Sequence, residues 1–285
     1  MSAPELIVFW AAAACLVWAM VEVALRLRRD ASLRRGRTLV AAALAFACLV
    51  GLLASRSRAA GQAAIVTVFD ATVLLSAVLV LLLLVLSPWL RGPALGVFLL
   101  PLTVTLLVLA AALPTETMAL RSEVPYAATV GHVALTMAGI AALAVGGLCG
   151  TMYLAQRLRL RRGSTDRLSG RLPNLERLER WNRGAAALGF VLYSLGLGLG
   201  LGMMGLKGES LGLTFLDAKV ISSLVVWAIF VLLVVLGLRP RFRGRPVAWL
   251  TIVAFTLMVL AAVGVGFLWP TGHMFGQAVS SAGHP

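Results

Sequence analysis

Charge is scarce in this sequence. Of its 285 residues 13% are Asp, Glu, Lys or Arg, against ~25% in ordinary soluble domains, and 60% are hydrophobic. That balance excludes a soluble globule, and the apolar excess excludes a disordered chain, which combines low hydrophobicity with high net charge. Cysteine is scarce as well. Cys15, Cys48 and Cys149 lie far apart inside apolar runs, so no disulfide framework, thiol-redox motif or zinc site is encoded, and they read as small core residues. Acidic residues number 11 against 25 basic ones, which leaves a formal charge of +14 in need of a location. Also missing are a GxxxxGK phosphate loop, an HExxH pair, histidines at i, i+4 spacing and a serine nucleophile elbow, so catalysis has little support.

What the chain does have is apolar length. Stretches of the ~17 to 25 residues needed to cross a bilayer recur at Leu6–Leu25, Thr38–Ala54, Ala63–Leu86, Ala94–Leu113, His132–Leu154, Gly184–Met204, Ala218–Leu238 and Val247–Trp269. These predict an all-α polytopic membrane protein, a bundle of eight transmembrane helices. No basic residue precedes the first stretch and its arginines follow it, the pattern of a retained helix rather than a cleaved signal. The reading divides the chain into an N-terminal four-helix region, residues 1–131, and a C-terminal four-helix region, residues 132–285.

The basic residues orient the bundle. One set of alternate loops holds twenty Lys and Arg, from Arg26 to Arg37, at Arg91, from Arg157 to Arg183 and from Arg239 to Arg245. The other holds five: Arg56, Arg58, Arg121, Lys207 and Lys219. The rule that cytoplasmic loops are rich in Lys and Arg then places both termini on the outer side. The positive charge is thereby explained by topology and not by a nucleic-acid partner. On the inner side, Leu172, Leu175, Leu178 and Trp181 recur at helical spacing among charges, which predicts an amphipathic helix lying at the headgroups, with Pro173 near its start. On the outer side, the segments Pro114–His132 and Leu206–Lys219 carry mixed charge and lead straight into spans.

An ionisable group within a span costs at least ~2.5 to 3.5 kcal/mol at its centre, so each one is a functional hypothesis. Glu22 is within i, i+4 reach of Arg26. Asp70 has no cation beside it in sequence and lies seven residues into the third stretch, about 10 Å deep at 1.5 Å per residue. It must be protonated, paired with a group such as Arg56, Arg58 or Lys219, or turned toward a wet outer cavity. Of the three histidines, His132 and His273 fall at the outer ends of the fifth and eighth spans, and His284 is next to the terminus. Two neutral imidazoles at one depth on separate helices can supply the axial ligands of a haem iron; each can equally bond a headgroup or a backbone carbonyl. The glycines between Gly196 and Gly205 include two GxxxG spacings, which allow close helix approach in lipid. Trp227 lies mid-span, outside the interfacial aromatic belts.

Three segments in order carry a family resemblance: His132 opening a span, the basic loop LPNLERLERWNRGAAALGF, and LDAKVISSLVVWAIF followed by a short arginine loop, a last span and GHMFG. From His132 to Gly276 the chain resembles the membrane-integral cytochrome c assembly family, specifically its CcsA/HemX-type members. The resemblance implies a bacterial inner-membrane protein whose outer, periplasmic histidines His132 and His273 flank a haem-handling site. Asp217 and Lys219 would then order the neighbouring loop or pair with haem propionates, with Asp70 as a further polar group of that outer cavity. The tryptophan-rich run that precedes W-D-P-K-E in haem-delivering members is missing: Leu206–Phe215 has no tryptophan, Leu216 precedes Asp217, and Val220 stands in the glutamate position. Met274 and Phe275 follow His273 where the family has Ser-Tyr. These departures favour the HemX-like branch. The expectation is a non-catalytic assembly factor that binds or passes haem, with the bilayer and other cytochrome c assembly proteins as partners. The alternatives are a non-haem scaffold or regulator acting through the basic loop from Arg157 to Arg183, and a small transporter with Asp70 as its ion site.

Overall fold

Each of the eight apolar stretches contributes one helix. The computed structural model describes residues 1–28, 33–59, 67–87, 94–113, 115, 126–163, 173–211, 218–239, 242 and 244–268, and among these there is no strand. The helices are α1 (Ala3–Arg28), α2 (Leu33–Ala59), α3 (Val68–Leu86), α4 (Ala94–Ala111), α5 (Tyr126–Arg161), α6 (Leu175–Leu211), α7 (Ala218–Leu238) and α8 (Arg245–Leu268). Six of them are long and apolar enough to cross a membrane, and the apolar segments Leu95–Ala111 of α4 and Arg245–Leu260 of α8 are shorter. Helix is the form an apolar chain takes in lipid, because it satisfies the backbone's hydrogen bonds within one segment. Hydroxyls follow the same rule: Thr72, Ser76, Thr103 and Thr251 each donate to the carbonyl four residues back.

The helices pack as two closed rings. In one, α1 and α3 each touch α2 and α4; in the other, α5 and α7 each touch α6 and α8. The rings meet through α3 and α4 against α5, and through α3 against α8. Phe9, Leu16, Leu49, Phe69, Leu79, Leu99 and Phe230 fill the interior, while Ile7, Val40, Val108, Leu188, Val225 and Leu260 face outward. An outward surface of large aliphatics is the expected exterior when lipid is the solvent. Neighbouring helices run antiparallel, which gathers the starts of α1, α3, α5 and α7 at one end, called here the His132 end. The starts of α2, α4, α6 and α8 gather at the other, the arginine end.

Two elements differ from the sequence expectation. The amphipathic segment is not a separate helix lying across the headgroups: it forms the first turns of α6, which runs unbroken for 37 residues. Asn174 caps it by accepting from the Arg177 amide at 3.1 Å, with Pro173 just before the cap. The stripe Leu178, Asn182, Ala186, Gly189, Tyr193 and Gly196 is buried without a break, so the apolar face of the amphipathic piece is the packed face of the span itself. With α5 at 36 residues, the pair is about 55 Å long at 1.5 Å per residue, well beyond the ~30 Å hydrocarbon core. The second difference concerns Asp70. Because α3 begins at Val68, Asp70 lies in its first turn and not seven residues along a helix. Hydropathy reads through the start of α3, whereas Thr67-x-x-Asp70 is a capping box: the Thr67 hydroxyl accepts from the Asp70 amide at 3.1 Å, and the Asp70 carboxylate accepts from the Thr67 amide at 3.3 Å.

Candidate functional site

The packing of α5 against α6 carries the first candidate. On α5 and α6, glycines stand wherever the partner's backbone or a large group arrives. A methyl group at Gly139 would lie 2.9 Å from the Tyr193 amide nitrogen, and one at Gly196 would lie 2.8 Å from that of Thr136. At Gly200 it would lie 2.7 Å from Cε1 and 2.8 Å from Nδ1 of His132. The spacing Gly196-x-x-x-Gly200 therefore forms the α5-facing groove, whereas Gly198, Gly202 and Gly205 face open space. Packing was one expected meaning of these glycines. The structure adds that the imidazole of His132 lies directly over Gly200.

That seat fixes the chemistry of the ring. His132 Nδ1 stands 2.7 Å from the Gly196 carbonyl oxygen. A carbonyl only accepts, so Nδ1 carries the hydrogen and donates it, and in the neutral imidazole Nε2 keeps a free lone pair. A backbone carbonyl on the far nitrogen is the arrangement that orients a metal-ligating histidine and raises its basicity. His132 as a residue is half-buried.

A second polar centre joins three helices at the same end of the molecule. Arg56, 2% exposed near the end of α2, donates from Nε to Oδ1 of the fully buried Asp70 at 2.6 Å. Its Nη2 donates to the Thr115 carbonyl at 2.9 Å, and its Nη1 lies 3.7 Å from Glu5 of α1. The guanidinium also stands 5.0 Å from the centre of the Phe69 ring. The second Asp70 oxygen accepts the Thr67 hydroxyl at 2.7 Å. Of the three states open to Asp70 in sequence, the structure takes the paired one, with Arg56 and not the exposed Arg58. Its carboxylate is thereby committed to α2 and to its own helix cap.

The other expected site residues are placed less fully. Lys219 belongs to the first turn of α7, with its side chain outside the described residues, and Asp217 and His273 lie outside them altogether. A polar centre that sequence reasoning missed is the Asn182–Thr251 pair joining α6 to α8. The Thr251 hydroxyl donates to Asn182 Oδ1 at 2.9 Å, and a methyl group at Gly150 of α5 would lie 3.3 Å from Asn182 Nδ2. Its signal in the sequence is an asparagine at a position of the apolar stripe. Trp227, expected outside the belts, donates from Nε1 to the Ser194 hydroxyl at 2.9 Å and so ties α7 to α6.

A polytopic helical membrane protein with a pre-oriented histidine at one end of its bundle is the class that these features define. The chain belongs to the cytochrome c assembly protein family, whose model matches residues 65–273, and its role accordingly lies in cytochrome c biogenesis. The matched stretch begins ahead of α3 and runs to His273, so it takes in α3 and α4 as well as the segments from His132 onward. No curated protein was found to match the chain.

Proposed function

We propose that this protein binds or passes haem at its His132 end, with His132 and His273 as the axial ligands of the iron. The observation that carries the reading is the His132 seat: Nδ1–H held by the Gly196 carbonyl, Nε2 left with its lone pair, and the ring packed directly on Gly200. These residues fit the group in their donor chemistry, because a haem iron takes a neutral imidazole nitrogen. Haem supplies the redox-active iron and the vinyl groups that cytochrome c biogenesis requires. The chain's part is to hold the ligand in one tautomer, keep bulk away from the ring, and supply charge for the propionates from Lys219, with Asp217 ordering the loop before α7.

In this reading the His132 end faces the periplasm and the arginine end the cytoplasm of a bacterial inner membrane, with both termini outside. Residues 132–285 carry the ligands and residues 1–131 support them. Asp70 acts as a positioning group: through Arg56 it ties α1, α2 and α3 together at the end where haem sits. The absence of the tryptophan run supports the HemX-like branch, a haem-handling assembly factor working with other assembly proteins and not an enzyme. The test is an absorption spectrum of detergent-purified protein loaded with haem. A Soret band that is lost in the His132→Ala, His273→Ala double variant is expected; unchanged affinity and spectrum in that variant would sink the ligand assignment.

A further inference from the structure

The Gly196-x-x-x-Gly200 spacing does more than let two helices meet. In an α-helix a carbonyl accepts from the amide four residues on, which uses one of its two lone pairs. The side chain of that later residue, tilted toward the helix start, covers the other. At Gly200 no side chain covers the Gly196 carbonyl, and the imidazole of His132 stands in that space. A methyl group at Gly200 would lie 2.7 Å from Cε1 and 2.8 Å from Nδ1, on the edge of the ring that donates to the Gly196 carbonyl at 2.7 Å. Gly196 sets the reach. A methyl group there would lie 2.7 Å from Thr136 Cγ2, 2.8 Å from the Thr136 amide nitrogen and 3.3 Å from the His132 carbonyl oxygen. Two of these three atoms are backbone, so α5 and α6 would have to part, and the short bond from Nδ1 would be stretched. Thr136 Oγ1 donates to the His132 carbonyl at 2.7 Å and so braces the same turn of α5.

The consequence is a choice of ring nitrogen. Free neutral histidine prefers to carry its hydrogen on Nε2, which leaves the lone pair on Nδ1; the Gly196 carbonyl favours the opposite form. We propose that Gly196 and Gly200 are positioning residues that act through His132, holding it as the Nδ1–H tautomer so that Nε2 is the nitrogen offered to a metal centre. The inference deepens the haem reading and takes the identity of the metal from it. It also separates these two glycines from Gly189, two turns back on the same buried stripe and about 10 Å along the helix from Gly196. A methyl group at Gly189 would meet Phe230 Cε1 at 2.8 Å, a packing contact remote from the His132 ring.

The test reads the tautomer without haem. The full chain, labelled with nitrogen-15 at histidine and held in detergent micelles, gives ring-nitrogen chemical shifts that distinguish Nδ1–H from Nε2–H, and the His132 signals are assigned by their loss in His132→Gln. The unaltered protein is expected to show Nδ1–H. Gly196→Ala and Gly200→Ala are expected to move the ring toward Nε2–H and to weaken ferric haem binding by ~10- to 100-fold, the usual effect of losing the outer partner of a ligating histidine. Gly189→Ala is expected to lower the melting temperature and leave the tautomer unchanged. A dominant Nε2–H form in the unaltered protein overturns the proposal whatever the variants do. So does Nδ1–H retained in both Gly196→Ala and Gly200→Ala, or an equal change of tautomer in Gly189→Ala. Failure of the unaltered protein to bind haem while its ring shows Nδ1–H overturns the haem reading and leaves the hold of the two glycines on the ring standing.

Discussion

Arg56 holds three helices at once, and its removal measures how much that node contributes. Asp70 is fully buried and Arg56 nearly so, so Arg56→Ala leaves a carboxylate without its cation. Breaking a buried pair from one side costs about 3–5 kcal/mol, whereas replacing both partners by apolar groups of similar size is often close to neutral. Arg56→Ala is therefore expected to lower unfolding stability in detergent by about 3–5 kcal/mol, and Arg56→Met with Asp70→Leu by much less. Equal losses in the two would show that the charges are not coupled. The glycines of α6 give a second comparison within four residues. Gly200→Ala drives a methyl group into the His132 ring, while Gly198→Ala meets nothing. Gly200→Ala is expected to weaken haem binding and shift the Soret maximum, and Gly198→Ala to leave both as they are. Haem titration of the two purified variants checks this.

At the scale of elements, the α5–α6 pair is the spine of the half that carries His132. Gly139→Ala forces a methyl group against the Tyr193 backbone, which cannot move aside as a flexible side chain can, so a loss of about 1–3 kcal/mol is expected in thermal unfolding. Loss of the Asn174 cap in Asn174→Ala should cost about 0.5–2 kcal/mol and fray the first turns of α6, read as lost helicity by circular dichroism. The eight helices were legible in the sequence because lipid leaves apolar length as the dominant signal. Boundaries were harder to read where hydropathy is blind to local hydrogen bonding: Thr67 and Asp70 begin α3 inside an apolar run, and the amphipathic start of α6 is collinear with its span. His132 could be found from its place at a span end. That Gly196 fixes its tautomer could not, because that contact joins residues 64 apart in the chain. Asp70 pointed to a partner on another helix, but only the packing of α2 on α3, which buries Arg56 and leaves Arg58 exposed, selects between them.

For the whole molecule, the proposed orientation rests on where the formal charge of +14 is carried. With the arginine end in the cytoplasm, a cysteine introduced at Ser2 in a cysteine-free background should react with an impermeant maleimide added to intact cells. One introduced at Gly163, in the loop after α5, should react only after permeabilisation. The reverse pattern would invert the bundle and move His132 to the cytoplasmic face. The end opposite the arginines holds His132, the glycine groove and the Arg56 node, all at the starts of α1, α3 and α5 or the ends of α2 and α6. The most direct measurement is the absorption spectrum of haem-loaded protein beside that of its His132→Ala, His273→Ala variant, with melting curves to show that both are folded. A Soret band in the unaltered protein that disappears in the folded variant is the predicted result; a band of the same position and strength in both would contradict histidine ligation.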